Sequence, residues 1–237
     1  MTQTVIVTGA TGGIGQSVTE ALARKGSQVI ALATRGAALE ALARRTGCKA
    51  VAVDITDAEA VMRALAGLKA DAVIHTAGIL GPQEPIYLAS PETASLLLSV
   101  NVSGTLNVLR ATVPGMVERG SGTVVLLGSV CGSVAGSGPG IYSASKAALQ
   151  SLAANLRHDL RDTAVRVSEI RLGRVKTGIH EQLGGGADLY DGYDCILPQD
   201  VAQTVLHVLD SPPAVDLSTV EMMPTRQVVG GTYFSKS

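Results

Sequence analysis

The chain has no tryptophan, one phenylalanine and five tyrosines in 237 residues, and only 16% of its side chains are charged. Without large aromatic rings, its interior must be built from Ala, Val, Leu and Ile. A charge content well under the usual ~25%, combined with 46% hydrophobic residues, excludes intrinsic disorder. The balance of 19 basic and 20 acidic residues leaves a net charge of −1 and no block of like charge. Nucleic acid, which calls for a basic face, is therefore not expected as a partner. Cys48, Cys131 and Cys195 are odd in number, far apart and free of any CxxC pair, which fits reduced thiols in a cytosolic protein. His75, His158, His180 and His207 show no metal-ligand spacing, so no metal site is expected.

A mean hydropathy of +0.30 raises the question of a membrane. The longest run without Asp, Glu, Lys or Arg is the 26 residues 120–145, and Gly, Ser and Pro punctuate it too densely for a spanning helix. Residues 1–19 are uncharged but lack the basic start and unbroken apolar core of a signal peptide. The expected location is the cytoplasm.

Aliphatic runs at 4–8, 28–33, 50–53, 72–75, 122–127 and 165–170 alternate with helical periodicity at 14–25, 36–45, 58–68, 92–118 and 142–161. Strands separated by long helices make right-handed βαβ units and a parallel sheet buried on both faces. The prediction is one α/β domain over 1–237, a doubly wound Rossmann fold. An irregular insertion at about 178–198, with three glycines at 184–186, follows the sixth strand and is a candidate substrate lid. Two helices lack a polar stripe: 93–109 has no charge, and Lys146 is the lone charge in 141–156. A second buried face on each predicts a homo-oligomer, a dimer or a homotetramer.

The first strand runs into Thr8-Gly9-Ala10-Thr11-Gly12-Gly13-Ile14-Gly15 and then a helix. Glycines there let the backbone approach a pyrophosphate, whose charge meets N–H groups at the helix start. At the end of the second strand, where a carboxylate would select NAD, stand Thr34 and Arg35. An arginine accepts the 2′-phosphate, so NADP(H) is favoured over NAD(H). Asp54, ending the third strand, is placed either to accept from an adenine amino group or to cap the next helix.

Tyr142 and Lys146 lie four apart in a helical stretch, on one face. An ammonium beside a phenol favours the phenolate, so Tyr142 is expected to titrate below its ordinary value of about 10. Ser129 ends the fifth strand and shares that crevice. Taken together, the Gly-rich turn, Asp54, His75-Thr76-Ala77-Gly78, Asn101, Ser129, Tyr142-Ser-Ala-Ser-Lys146, and Gly173 followed by Thr177 resemble the short-chain dehydrogenase/reductase family over essentially the whole length.

The resemblance implies hydride transfer between a nicotinamide cofactor and a carbonyl or secondary alcohol. It implies that Tyr142 donates or accepts the proton, that Ser129 bonds the substrate oxygen, and that Lys146 binds the nicotinamide ribose. Asn101 would hold a relay water. Ile55, Ala77, Gly78, Gly173, Val175 and Thr177 join the cofactor set. Candidate substrate residues are Ser129, Cys131, Tyr142, His180, Tyr190 and Tyr193, with Val134 and Ala135 beside Cys131. An NADP(H)-binding sensor with the same fold and no turnover is the alternative.

Two positions depart from the family pattern. His75-Thr76 stands where the family has Asn-Asn, and a buried, hydrogen-bonded histidine is expected there. Leu172 stands where the family has proline. The segments 198–202, 212–213 and 223–227 resemble the branch of NADP-using hydroxy-acid and serine-type dehydrogenases.

Overall fold

A computed structural model describes residues 2–179 and 195–225. Seven parallel strands form one sheet in the order β3-β2-β1-β4-β5-β6-β7. They are β1 (Thr4–Thr8), β2 (Gln28–Ala33), β3 (Lys49–Ala52), β4 (Ala72–His75), β5 (Gly122–Ser129), β6 (Val165–Leu172) and β7 (Thr219–Met222). The helices are α1 (Gly13–Arg24), α2 (Gly36–Thr46), α3 (Ala58–Leu65), α4 (Pro91–Leu98), α5 (Gly104–Arg119), α6 (Gly140–Asp159) and α7 (Pro198–Asp210). The order reverses between β1 and β4, and in such sheets the crevice beyond the carboxyl ends of the strands at that point receives ligands. This is the expected doubly wound fold.

The period-2 geometry of the strands explains why most of them look aliphatic on both faces. Val5, Val7, Val125, Leu127, Ile170 and Leu172 face a core closed by α1 and α7. Their neighbours Ile6, Val124, Leu126, Val165 and Val167 face a second core with Val61, Val108, Met116, Leu149 and Ala153. Both faces are covered, so no position along a central strand needs a polar side chain.

The structure departs from the sequence expectation at several elements. β3 starts one residue earlier than expected. The single helix expected over 92–118 is two: Ser90 caps α4 by accepting from Thr93 N at 3.1 Å, and a π-helical turn, Ser99–Ser103, separates α4 from α5. Pro91–Arg119 is long and apolar enough to cross a membrane by length and composition. Val108 and Met116 are nonetheless wholly buried in the second core, so one face of α5 packs into the protein interior. α7 and β7 are two elements beyond those expected from the sequence. The strand is only Thr-Val-Glu-Met at the sheet edge, and long-range contacts pin it: Arg157 Nη2 donates to Ser218 O at 2.6 Å, and Arg166 Nη1 to Val215 O at 3.2 Å.

The segment entering the 178–198 insertion is tied to the segment leaving it. Lys176 N donates to Ile196 O at 2.8 Å and Ile196 N to Arg174 O at 3.1 Å. His180, Tyr190 and Tyr193, the candidate lid residues, lie outside the described residues.

Candidate active site

A cleft of about 1050 Å³ opens along the carboxyl edge of the sheet, at the upper end of the range for small-molecule sites. At one end it is floored by the Gly-rich turn. Gly9 has φ +62°, a region open to glycine, and a Cβ on it would stand 2.7 Å from Ala77 Cα. A Cβ on Gly15 would come within 2.3 Å of Gly9 O. The turn is thus pressed against the loop after β4 as well as opened toward the cleft. Thr11, Gly12, Gly13, Ile14, Thr34, Arg35, Asp54, Ile55, Ala77 and Gly78 all line this end. Arg35 Nη2 donates to Thr11 O at 3.1 Å, which holds the guanidinium over the turn. Asp54 Oδ1 accepts from both Thr56 N and Thr56 Oγ1 at 2.9 Å, while the cap of α3 is Asp57, which accepts from Ala60 N at 2.9 Å. The capping alternative for Asp54 is therefore corrected: three residues further on, Asp57 supplies the cap.

These features fit a dinucleotide. The turn has no room for side chains, its N–H groups lie at the start of α1, and a cation flanks the end where a 2′-phosphate would sit. Gly173, Val175 and Thr177 line the middle of the cleft, and Thr177 Cγ2 would stand 3.0 Å from a Cβ on Gly13. Leu172, in the family's proline position, packs into the first core, and its carbonyl accepts from Ser129 Oγ at 3.3 Å.

At the other end stand Ser129, Cys131, Tyr142 and Lys146. Ser129 also caps a short turn by accepting from Cys131 N at 3.2 Å, and its hydroxyl favours the charged form of the Tyr142 phenol. Lys146 is 8% exposed and donates to Leu127 O at 2.8 Å, with Nζ 5.7 Å from the Tyr142 ring centroid. The electrostatics reverse one expectation. Burial, reinforced by Cys131 and only partly offset by Ser129, pushes the Tyr142 phenol well above its ordinary value. The ammonium serves Leu127 O and lies beside the ring, so it does not dominate the phenol. Burial also lowers Lys146 to about 8, against the opposing pull of Cys131 and Glu169. Cys131 Sγ donates to Ser137 O at 3.3 Å. Val134 and Ala135 do not line the cleft; Ile79, Leu80, Gln83, Val100 and Pro139, which the sequence did not single out, do.

Asn101 occupies the π-helical turn, a distortion frequent at functional sites. Its Oδ1 accepts from Ile79 N at 2.8 Å, and its Nδ2 donates to Ile79 O at 2.9 Å and Ser145 Oγ at 3.0 Å. The amide clamps the loop after β4 to α6: both Nδ2 protons are spent and Oδ1 has one lone pair engaged. The Asn101 carbonyl accepts from Thr105 Oγ1 at 2.8 Å.

That last bond fixes the state of His75. With the Thr105 proton committed, Thr105 Oγ1 must accept from His75 Nε2–H at 2.9 Å, so Nδ1 accepts from Thr8 Oγ1 at 2.9 Å. Thr8 Oγ1 in turn accepts from Ala77 N at 3.3 Å. One directed chain joins the Ala77 backbone to the π-helical turn. Burial, and next the Lys146 charge, lower His75 to about 3, and it is neutral. Among the described residues no group of three His, Cys, Asp or Glu is placed to hold a metal.

The model of the short chain dehydrogenase family matches residues 3–186. The NADP-dependent 3-hydroxy acid dehydrogenase YdfG of Escherichia coli (strain K12) is 33% identical over 240 residues, covering 96% of this chain and 97% of that protein. The serine 3-dehydrogenase of Rhizobium radiobacter is 32% identical over 243 residues, covering 98% and 97%. The closed form of serine dehydrogenase complexed with NADP+ superposes with a TM-score of 0.92 at 33% identity, covering 99% of this chain and all of that one.

The buried histidine has a measurable consequence. Its pKa is about 3 when folded and 6.5 in the ordinary state, so its contribution is complete above pH 6.5 and is lost as pH falls toward 3. The loss approaches about 1.4 kcal/mol per pH unit. Urea denaturation between pH 7.5 and 5 should show this slope in the native chain. His75→Gln, which cannot titrate, should be less stable at pH 7.5 yet show a flatter slope; equal slopes would remove the assignment.

Proposed function

The chain belongs to the short-chain dehydrogenase family, and from that membership we propose an oxidoreductase moving a hydride between NADP(H) and a small carbonyl or secondary alcohol, with Tyr142 handling the proton. The observation that carries this reading is the convergence of Ser129, Tyr142 and Lys146 at one end of a cleft whose other end is the Gly-rich turn. Bound nicotinamide would supply the hydride chemistry.

The rest falls to this chain's residues. N–H groups of Gly12 through Gly15 would bind the pyrophosphate, and Thr34 and Arg35 the 2′-phosphate. Asp54 and Ile55 would flank the adenine, Ala77 and Gly78 the adenosine ribose. Lys146 and Tyr142 would hold the second ribose, and Gly173, Val175 and Thr177 the carboxamide. Ser129 would bond the substrate oxygen while Tyr142, held as a phenol by burial, donates to it in reduction. Donation leaves a phenolate, which the Lys146 cation stabilises, and in oxidation that phenolate accepts the proton back. With its amide spent on Ile79 and Ser145, Asn101 would hold a relay water through the second lone pair of its carbonyl.

The relatives named for 3-hydroxy acids and serine make short hydroxy acids the first substrates to test, with Arg174, which lines the cleft, facing the carboxylate. Cys131 would border the substrate. The helices over 92–118 and 142–161 would form homo-oligomer contacts: Leu96 is 57% exposed, Leu98 42% and Val117 41%. A dimer or a homotetramer in the cytoplasm, where free thiols are at home, completes the reading.

Three measurements check it. Tyr142→Phe should lower kcat for NADPH-dependent ketone reduction by about 10²–10⁴-fold with NADPH binding retained; undiminished turnover would refute the acid–base role and leave the sensor reading. Arg35→Ala should raise KM for NADPH far more than for NADH, and equal effects would remove the phosphate contact. Light scattering at micromolar concentration should give a multiple of 24.2 kDa, whereas a monomer would refute the assembly.

A further inference from the structure

Beneath α6 lies a carboxylate to which the reading above gives no task. Glu169 sits inside β6 and is 1% exposed. Strand alternation sets its side chain on the face shared with Val165 and Val167, the face that α6 covers with Leu149 and Ala153. Lys146 stands three residues before Leu149 on the same side of that helix. Glu169 Oε2 accepts from Arg171 Nε at 3.0 Å, while Oε1 is buried with no hydrogen-bond partner among the described residues. The carboxylate occupies the space over Gly128, where a Cβ would stand 2.5 Å from Oε1. The Lys146 ammonium is bonded to the carbonyl of the preceding residue, Leu127. Carboxylate and ammonium therefore adjoin successive residues of β5, on the helix-covered face, in a dry interior.

We propose that Glu169 is the positioning residue of Lys146: its buried negative charge keeps the lysine an ammonium, held between the Leu127 carbonyl and the Tyr142 ring. The proposal rests on the reading of Tyr142 and Lys146 as the acid–base pair. A buried ammonium loses its proton unless a counter-charge offsets the loss of water. The groups facing Lys146 are Tyr142 from its own helix, Cys131 from the turn after β5, neutral His75 from β4 and Glu169 from β6. Glu169 is the one ion-paired carboxylate among them, and after Cys131 it opposes the burial that brings Lys146 down to about 8. Arg171 stands behind it, 27% exposed at the side chain, so the charges alternate from the surface inward: Arg171, Glu169, Lys146. Pairing with Arg171 alone would leave unexplained both the unpartnered Oε1 and the missing side chain at 128.

The test is a pH titration of the Lys146 ε-carbon by ¹³C NMR, assigned with Lys146→Arg. Glu169→Gln should lower the Lys146 midpoint by about one pH unit, a tenfold change in its proton equilibrium. Glu169→Asp should return the midpoint toward the native value. Superimposable titrations of native and Glu169→Gln protein would overturn the proposal. The readout does not depend on turnover, so it stands apart from Tyr142→Phe, which judges the acid–base reading itself. In kinetics, the high-pH limb of kcat/KM for alcohol oxidation should move down with the NMR midpoint; a uniform drop at every pH would mark a merely structural residue. Should Glu169→Gln fail to fold, Gly128→Ala carries the same test: its methyl displaces the carboxylate, and an unmoved Lys146 midpoint would again overturn the proposal.

Discussion

A single ammonium kept out of water organises the chemical end of this molecule. Lys146 must be buried to stand behind Tyr142, and a buried cation is tolerated where its protons and charge both find partners. The Leu127 carbonyl takes one proton at 2.8 Å, and the ammonium lies beside the Tyr142 ring. Much of the neighbouring structure accommodates that demand: β5 turns its carbonyl toward α6, Gly128 leaves space for Glu169, and Arg171 closes the row at the surface.

The nucleotide end is held by backbone contact where the chemical end is held by charge. Gly9 and Gly15 let the Gly-rich turn close on itself and on Ala77, so this end depends on glycine geometry. The two ends are connected. From Ala77 the chain of hydrogen bonds passes through Thr8, His75 and Thr105 to the Asn101 carbonyl, while the Asn101 amide holds Ile79 and Ser145, and Ser145 Oγ donates to Tyr142 O at 2.7 Å. A neutral imidazole suits this place because it donates at one nitrogen and accepts at the other, and so transmits a fixed direction of hydrogen bonding from strand to helix.

Much of this was legible along the chain. The alternation of aliphatic runs with helical periods marks six of the seven strands, because a parallel sheet buried on both faces leaves an unbroken apolar signature. The strand-turn-helix setting of the glycines and the four-residue spacing of Tyr142 and Lys146 place the two ends of the cleft. β7 was not legible, since four residues at a sheet edge carry little pattern and the segment leading into them is anchored by Arg157 and Arg166, through bonds that span 61 and 49 positions. The break between α4 and α5 was equally silent, because a π-helical turn is drawn out by the bonds between Asn101 and Ile79, 22 positions apart.

Sequence alone determined the fold class, the edge of the sheet that carries the site, and the residue types that meet there. These follow from local periodicity and spacing, which act over a few residues. Only the tertiary structure decided the electrical state of those residues. The Tyr142 phenol is raised where spacing to Lys146 predicted it lowered, His75 is neutral with a fixed tautomer, and Glu169 acts on the lysine of α6 from β6. Burial and through-space charge depend on what packs around a group, and residues on other elements, from Cys131 and Ser129 to Glu169, supply that packing here.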